Sequence, residues 1–262
     1  MAARLPCLAL PALALGLALT LHAAPARAQV NVEALRSDLD AHARYLSLQA
    51  SFAGHLGNTN GAVGSVAAFA GAAVDRNLIF VKVQADYAEF SGTTSISKAF
   101  VHGRYNVRIL PFLYGEAFAQ IEENEFQRLA LRQVDGVGLR FGVVQRPTVQ
   151  LFYGTSWMLD YEKLDDEFVF GPAPQWFAQR WNNYLAVGWK MSAHTHLDET
   201  FYIQPRINGF ADFRLLDDAS FVMDIDKRFS AKIDCQIHYN STPPVGVLPT
   251  DVDTVTSLVL TL

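Results

Sequence analysis

The sequence predicts an all-β fold, an antiparallel up-and-down barrel of about twelve strands that follows a cleaved export signal. Three observations lead to this prediction. Apolar and polar side chains alternate strictly in segment after segment, the connections are short at one rim and longer at the other, and the N-terminus has the composition of a signal peptide. Residues 43–262 are therefore expected to form the barrel domain.

The first 28 residues have the parts of a secretory signal. Arg4 supplies a positive n-region, Leu8–Leu21 is an apolar run, and Ala26-Arg27-Ala28 has the small-x-small pattern of a cleavage site. The apolar run is shorter than the roughly 20 residues that a membrane helix needs. We expect residues 1–28 to be removed and residues 29–42 to form a short periplasmic leader.

Charge and cysteine content limit the function classes. The chain has 21 Lys+Arg and 26 Asp+Glu, and the predicted signal holds two of the arginines and no acid, so its removal takes the formal net charge from −5 to −7. An acidic chain lacks the basic surface that nucleic-acid binding favours, so no nucleic-acid partner is expected. Cys7 is removed with the signal, which leaves Cys235 alone and excludes an intrachain disulfide.

The strands are predicted from a period of two. Between residues 229 and 239 the odd positions are Phe, Ala, Ile, Cys, Ile and Tyr, whereas the even ones are Ser, Lys, Asp, Gln and His. Strict alternation is typical of a strand with two different faces and does not fit helical spacing. The pattern predicts twelve strands near residues 43–56, 61–74, 77–90, 96–109, 112–123, 128–144, 148–161, 180–192, 195–208, 211–226, 228–240 and 252–262. Leu215–Asp218 interrupts the pattern of the tenth.

The connections fall into two sets. Tight turns are predicted near residues 75–76, 110–111, 145–147, 193–194 and 226–227, and most of the alternate connections, at 91–95, 123–127, 162–179 and 241–251, are longer. Membrane barrels have short periplasmic turns and long extracellular loops, so both termini are predicted to be periplasmic. The tight Gly57–Asn60 turn is the expected exception on the long-loop rim.

The residues on the two faces favour a transmembrane barrel over a soluble one. In a membrane barrel, charged side chains line the lumen and apolar ones face lipid. The predicted lumen-lining charged residues are Arg104, Arg108, Glu116, Glu122, Arg128, Arg132 and Arg140. The apolar face carries rings near predicted strand ends, as in the aromatic girdles of membrane interfaces: Phe112, Tyr161, Trp181, Trp189, Phe201, Phe229 and Tyr239. A lumen of twelve strands is also too wide for apolar side chains alone to fill.

Four short motifs, in this order, carry a family resemblance. They are Gly57-Asn-Thr-Asn60, Phe118-Ala-Gln-Ile-Glu-Glu-Asn-Glu-Phe126, Gly136-Val-Gly-Leu-Arg140, and Tyr239-Asn-Ser-Thr-Pro-Pro-Val-Gly246 before a final strand. The chain resembles the YdiY-like, salt-induced outer-membrane proteins, a family whose function is not established. The resemblance implies a barrel in the outer membrane of a Gram-negative cell, in contact with lipid and lipopolysaccharide and inserted by the barrel-assembly machinery. Barrels of this kind usually end in an aromatic residue, whereas this chain ends in Leu262.

Two groups of residues have the chemistry of metal ligands. His194 and His196 form an H-x-H pair at a predicted turn without a third ligand, so a solvated turn is favoured. Asp165-Asp166-Glu167 and Asp217-Asp218 are acidic clusters with the oxygen ligands that Ca²⁺ takes, but solvated loops explain them better. We expect no metal and no cofactor.

A hydrolase needs a nucleophile, a base and an acid close together. Ser156, His102 and Asp160 all fall on predicted strands, but nothing in the sequence brings them together and no Gly-x-Ser-x-Gly elbow occurs. We therefore expect no catalytic residues.

The predicted lumen residues allow two interpretations. An arginine-biased lining would make a narrow, anion-favouring pore, whereas acids and arginines that neutralise one another would close the lumen. Paired charges in a confined interior are more stable than isolated ones, which favours the closed form. The sequence predicts a non-enzymatic outer-membrane barrel, a structural envelope component or small passive channel linked to salt or envelope stress. The alternatives are a barrel-embedded lipid or lipopolysaccharide hydrolase and a soluble periplasmic barrel that binds an apolar ligand.

Overall fold

The computed structural model describes residues 43–55, 61–90, 93–124, 129–164, 175–243 and 248–261. Several predicted features lie outside these residues: the signal, the leader, Gly57–Asn60, Arg128 and Asp165–Glu167. The described residues contain no helix long and apolar enough to cross a membrane.

Twelve strands form one closed antiparallel barrel. They are β1 (Arg44–His55), β2 (Gly61–Val74), β3 (Asn77–Phe90), β4 (Thr93–Leu110), β5 (Leu113–Asn124), β6 (Leu129–Gln145), β7 (Val149–Leu164), β8 (Gln175–Lys190), β9 (Thr195–Arg206), β10 (Gly209–Asp224), β11 (Phe229–Asn240) and β12 (Thr250–Thr261). Each strand pairs with its neighbours in sequence, and β12 pairs with β1 through the register Ser47↔Thr261 to Ala50↔Leu258. The predicted up-and-down barrel is confirmed.

The strands differ from the predicted ones mainly at their ends. β8 begins at Gln175, five residues before the predicted start, and β7 continues to Leu164. The tenth predicted strand, 211–226, is β10, which runs through Leu215–Asp218 with an unbroken register against β11 although the alternation is interrupted there. On the long-loop rim, where the sequence predicts one tight exception, two residues, Ile207 and Asn208, join β9 to β10.

Where the burial of the side chains is described, it alternates along most strands with the polar side inside. In β8, Arg180, Asn182 and Tyr184 are buried, whereas Trp181 and Leu185 are exposed. The other strands expose aliphatic residues in the same way: Val66, Ile79, Val83, Val101, Ile121, Val137, Ile203, Ile233 and Leu258. This arrangement is the inverse of a water-soluble barrel and matches the alternation of transmembrane barrels.

Three glycines on the inner face make room for large side chains. A Cβ at Gly136 would overlap the Phe118 ring, and one at Gly154 would overlap the Tyr184 ring. A Cβ at Gly138 would overlap the backbone of β7 at Thr155 and Ser156. The inner surface of β6 and β7 is therefore packed to contact and does not enclose free space at these points.

We predict that Gly138→Ala destabilises the barrel by about 1–3 kcal/mol, because the added methyl group overpacks against backbone that cannot rotate away. The matched control is Gly103→Ala, since a Cβ at Gly103 on β4 meets nothing within 4 Å. Urea unfolding in lipid vesicles, followed by tryptophan fluorescence, measures both variants. Equal midpoints for the two would contradict the packing described here.

Candidate functional site: the barrel interior

The interior of the barrel holds a nearly balanced set of buried charges. Among the described residues, six basic and seven acidic side chains are buried. The basic ones are Lys98, Arg104, Arg132, Arg140, Arg180 and Arg214, and the acidic ones are Glu116, Glu122, Asp160, Glu162, Asp198, Asp218 and Asp234. Sequence alternation places all of them on the inner face, and their near balance leaves no excess of arginine.

Asp160 is the centre of the largest group of ion pairs. Its carboxylate accepts hydrogen bonds from Nε of Arg132 at 2.9 Å, from Nε of Arg180 at 3.0 Å and from Nη1 of Arg214 at 2.9 Å. These residues come from β6, β7, β8 and β10, and Asp160 is 1 % exposed. One carboxylate thus ties together four strands near the long-loop rim.

Three further acids complete this group, which we call the rim network. Glu162 lies 2.6 Å from Nη1 of Arg214 and 3.1 Å from Nε of Arg132. Asp212 pairs with Arg180 at 3.0 Å and with Arg206 at 3.7 Å. Glu122 lies 4.0 Å from Arg132 and 3.7 Å from Lys98, so the network reaches from β4 to β10.

A second group lies deeper in the barrel, around Tyr184 of β8. The Tyr184 hydroxyl donates to Oε2 of Glu116 at 2.7 Å and accepts from Nη1 of Arg140 at 3.1 Å. Arg104 lies 3.9 Å from the same carboxylate oxygen, and Arg140 covers the Phe152 ring with its guanidinium carbon 3.9 Å from the centroid. These contacts join β5 to β8 across two intervening strands.

The remaining inner surface is aromatic on one side and polar on the other. Phe69, Leu78, Phe80 and Phe100 form a buried cluster on β2–β4. The ring of His102 stacks between Phe80 and Phe118, with centroids 6.4 and 6.1 Å away.

On the other side, Asp234 of β11 accepts a hydrogen bond from Ser220 of β10 at 2.6 Å and pairs with Lys232 at 2.7 Å. Gln236 of β11 donates to Asp218 of β10. These contacts extend the paired interior past β9 toward β12.

The structure brings most of the predicted lumen residues together. Arg104, Glu116, Glu122, Arg132 and Arg140 are all buried in the two groups described above. Arg108 lies third from the end of β4 and is exposed at the short-turn rim.

Sequence reasoning missed Asp160 as a lumen residue, together with Arg180, Arg214 and Tyr184. The sequence could have identified them, because they lie at even-numbered positions of β7, β8 and β10. The inward-facing arginines of β4–β6 were recognised from the same alternation.

Two of the predicted girdle aromatics lie elsewhere. Trp181 is in the middle of β8, because that strand begins at Gln175, and Phe201 is in the middle of β9. Phe112, Trp189 and Phe229 do lie at strand ends or turns. Trp181 nevertheless follows Arg180 of the rim network, which is in register with Arg206 at the end of β9, so its ring lies toward the long-loop rim.

The candidate hydrolase residues are engaged in structural contacts. Ser156 accepts a hydrogen bond from the Asn182 amide at 2.9 Å, and an amide cannot take the serine proton as a general base does. The Asp160 carboxylate faces three arginines.

The candidate metal ligands are placed as follows. His194 is exposed in the turn before β9, and His196 faces Asp198 at 3.5 Å. Among the residues that the structure describes, no group of three His, Cys, Asp or Glu is arranged to hold a metal ion. The prediction that Asp217 and Asp218 form a cluster in a loop was wrong, because they are successive residues of β10 and point to opposite faces.

A family model described as a protein of unknown function, DUF481, matches residues 48–262. The chain belongs to the DUF481 family. This match confirms the resemblance to the YdiY-like proteins. None of the curated proteins is significantly similar to this DUF481 protein.

Solved structures similar to this DUF481 protein are outer-membrane barrels. The NanC porin is 10 % identical with a TM-score of 0.51, over 82 % of this chain and 98 % of that one. The translocator domain of the autotransporter NalP from Neisseria meningitidis is 11 % identical with a TM-score of 0.48, over 87 % and 92 %. The KdgM porin is 7 % identical with a TM-score of 0.42, over 83 % and 96 %. At these identities the likeness to NanC shows the fold alone.

We predict that Asp160→Asn destabilises the DUF481 barrel by about 3–5 kcal/mol, because it removes the one carboxylate that three buried arginines share and leaves the rim network with an excess of positive charge. The control is Glu123→Gln, which removes one acid from an exposed position on the outer face of β5. Urea midpoints in lipid vesicles compare the two. A loss for Asp160→Asn no larger than that of the control would contradict the central role of this carboxylate.

Proposed function

We propose that the protein is an outer-membrane barrel with a closed interior, which contributes to the envelope as a structural component and not as an open channel. The observation that carries this proposal is that side chains join non-adjacent strands across the interior. Asp160 of β7 binds Arg214 of β10, and Glu116 of β5 binds Tyr184 of β8.

The contacts are placed where they obstruct passage. The rim network and the Tyr184 group lie at different depths, and Arg132, Arg180 and Tyr184 are each only 1–2 % exposed. An ion that entered would have to separate buried, hydrogen-bonded pairs, and the cost of an uncompensated buried charge is several kcal/mol. The balance of six basic and seven acidic buried groups also argues against an anion-favouring pore.

The outer surface supports insertion into a membrane. A tilted strand crosses the apolar core of a bilayer with about 9–11 residues, and the twelve strands are 12–18 residues long. Their outer face is largely apolar and each strand pairs with a neighbour on both sides, which gives the closed sheet that hydrocarbon requires. The proposal includes a role under salt or envelope stress, which rests on the family resemblance alone.

We predict that the purified protein is silent in a planar lipid bilayer, and that the triple variant Tyr184→Ala/Arg140→Ala/Arg214→Ala conducts in discrete steps, because it removes cross-barrel contacts from both the rim network and the Tyr184 group. The control is Leu185→Ala, which removes a large side chain from the outer face of the same strand. Steps with anion selectivity from the wild-type protein would contradict a closed interior and favour the passive channel.

A further inference from the structure

The exposed positive charge of the barrel is concentrated at one end. Among the residues that the structure describes, eight arginines and lysines are exposed, and seven of them lie at the short-turn rim. We call these seven the basic ring: Arg44, Arg76, Arg108, Arg146, Lys190, Lys227 and Arg228. The eighth, Arg206, lies at the long-loop rim, where Asp212 pairs with it at 3.7 Å. The two ends of the barrel therefore differ in charge.

The basic ring extends around the whole circumference. Its members lie at the start of β1 and in or beside the turns β2–β3, β4–β5, β6–β7, β8–β9 and β10–β11. Neighbouring members are separated by at most two and a half strands, which is about 12 Å across the strands. A patch that docks one protein lies on one side of a molecule, whereas this ring is present on every side.

The positive charge of the basic ring is not balanced within the described part of the chain. No carboxylate of the described residues lies within 4.0 Å of a ring side chain. The exposed acids at this rim are Asp75 and Asp226, so the exposed groups there have a net charge of +5. Asp226 accepts backbone hydrogen bonds from Arg228 at 2.7 Å and from Phe229 at 2.9 Å, which orders its own turn. An excess of this size attracts anions from outside the chain.

Large apolar side chains accompany the basic ring on the outer face. Each ring member lies within three residues of one that is 38–61 % exposed. These apolar neighbours are Leu46, Val74, Ile109, Val143, Trp189, Met191, Ile225 and Phe229. Lysine and arginine beside outward rings and aliphatic groups are typical of the membrane–water boundary, where the apolar part faces lipid tails and the charge reaches the headgroups.

From these observations we propose that the basic ring binds the headgroups of anionic phospholipids in the leaflet at the short-turn rim. A lipid leaflet encloses a barrel on all sides at a single depth, as the ring does. Its headgroups carry the negative charge, and its tails begin where the apolar neighbours lie. The proposal rests on the membrane insertion proposed above, and in the predicted orientation this leaflet is the periplasmic one.

Two tryptophans on one strand allow the lipid composition at the two rims to be compared. Trp189 and Trp181 both face outward on β8, where they are 45 % and 47 % exposed. Trp189 precedes Lys190 of the basic ring, and its register partner Val149 follows Arg146 by three residues. Trp181 lies toward the long-loop rim. Tryptophan fluorescence that is quenched by brominated lipid tails therefore reports the lipids beside each rim separately.

The test uses two single-tryptophan proteins in vesicles that mix phosphatidylglycerol with phosphatidylcholine. Trp157→Phe/Trp176→Phe/Trp181→Phe keeps Trp189, and the matched control Trp157→Phe/Trp176→Phe/Trp189→Phe keeps Trp181. Quenching is measured once with brominated phosphatidylglycerol and once with brominated phosphatidylcholine at the same mole fraction. We expect the ratio of the two to be about five at Trp189, the effect of one basic residue at an anionic surface, and near one at Trp181. In about 1 M salt, where the Debye length is about 3 Å, the ratio at Trp189 should fall toward one.

Substitutions in the basic ring test its role directly. In the Trp189 protein, Arg146→Gln/Lys190→Gln is expected to lower the ratio to near one, because both side chains lie beside this tryptophan. The control Lys163→Gln/Arg206→Gln changes the net charge equally at the long-loop rim and should leave the ratio unchanged. Heat-dependent mobility on a detergent gel shows that each protein is folded. The wild-type chain needs no substitution for a second readout: its urea midpoint should be higher in phosphatidylglycerol than in phosphatidylcholine, and the difference should disappear in about 1 M salt.

The outcomes separate this proposal from the barrel proposal. Equal ratios at Trp189 and Trp181 in a folded, inserted protein, or a ratio that Arg146→Gln/Lys190→Gln does not change, would overturn lipid binding and leave the barrel proposal standing. A ratio near one, together with sedimentation of the wild-type but not the Arg146→Gln/Lys190→Gln protein with purified cell-wall polymer, would assign the ring to that polymer instead. Failure of either brominated lipid to quench any tryptophan would overturn the membrane insertion itself.

Discussion

A strand edge has no hydrogen-bond partner in hydrocarbon, and this constraint governs the rest of the structure. Each backbone N–H and C=O group inside a bilayer must be paired within the protein, so a sheet that enters the bilayer has to close. The closure here is the pairing of β1 with β12. Closure creates an outside and an inside, and the period of two then sends alternate side chains to lipid and to the interior.

The interior is polar, so its groups must satisfy one another. Charges that face inward from one strand find partners on strands one to three positions away, as Asp160 of β7 does with Arg180 of β8 and Arg214 of β10. Glycines at 136 and 154 lower the inner surface of β6 and β7 so that Phe118 and Tyr184 fit against it. Charge pairing and close packing together fill the space that a wider or less balanced lining would leave open.

The fold was predictable from the sequence because strand alternation is local. The alternation of neighbouring residues is enough to assign Arg132 and Arg140 to the inner face. Both side chains are buried, in agreement with this assignment. The contact of Asp160 with Arg214 is not local, since it spans 54 residues and depends on barrel register.

The sequence pattern also did not predict how far along its strand a residue lies. Trp181 was assigned to a strand end because apolar and polar residues do not mark where β8 begins. Asp217 and Asp218 looked like a loop cluster because two successive acids obscure the alternation, although one faces inward and the other outward.

Cell fractionation combined with a detergent gel tests the central claim, a closed barrel in the outer membrane, most directly. We expect the protein to be recovered with the outer-membrane fraction, to be extracted only by detergent, and to migrate faster unheated than after boiling. Recovery in the soluble periplasmic fraction without detergent, as a band whose mobility does not change on heating, would contradict it.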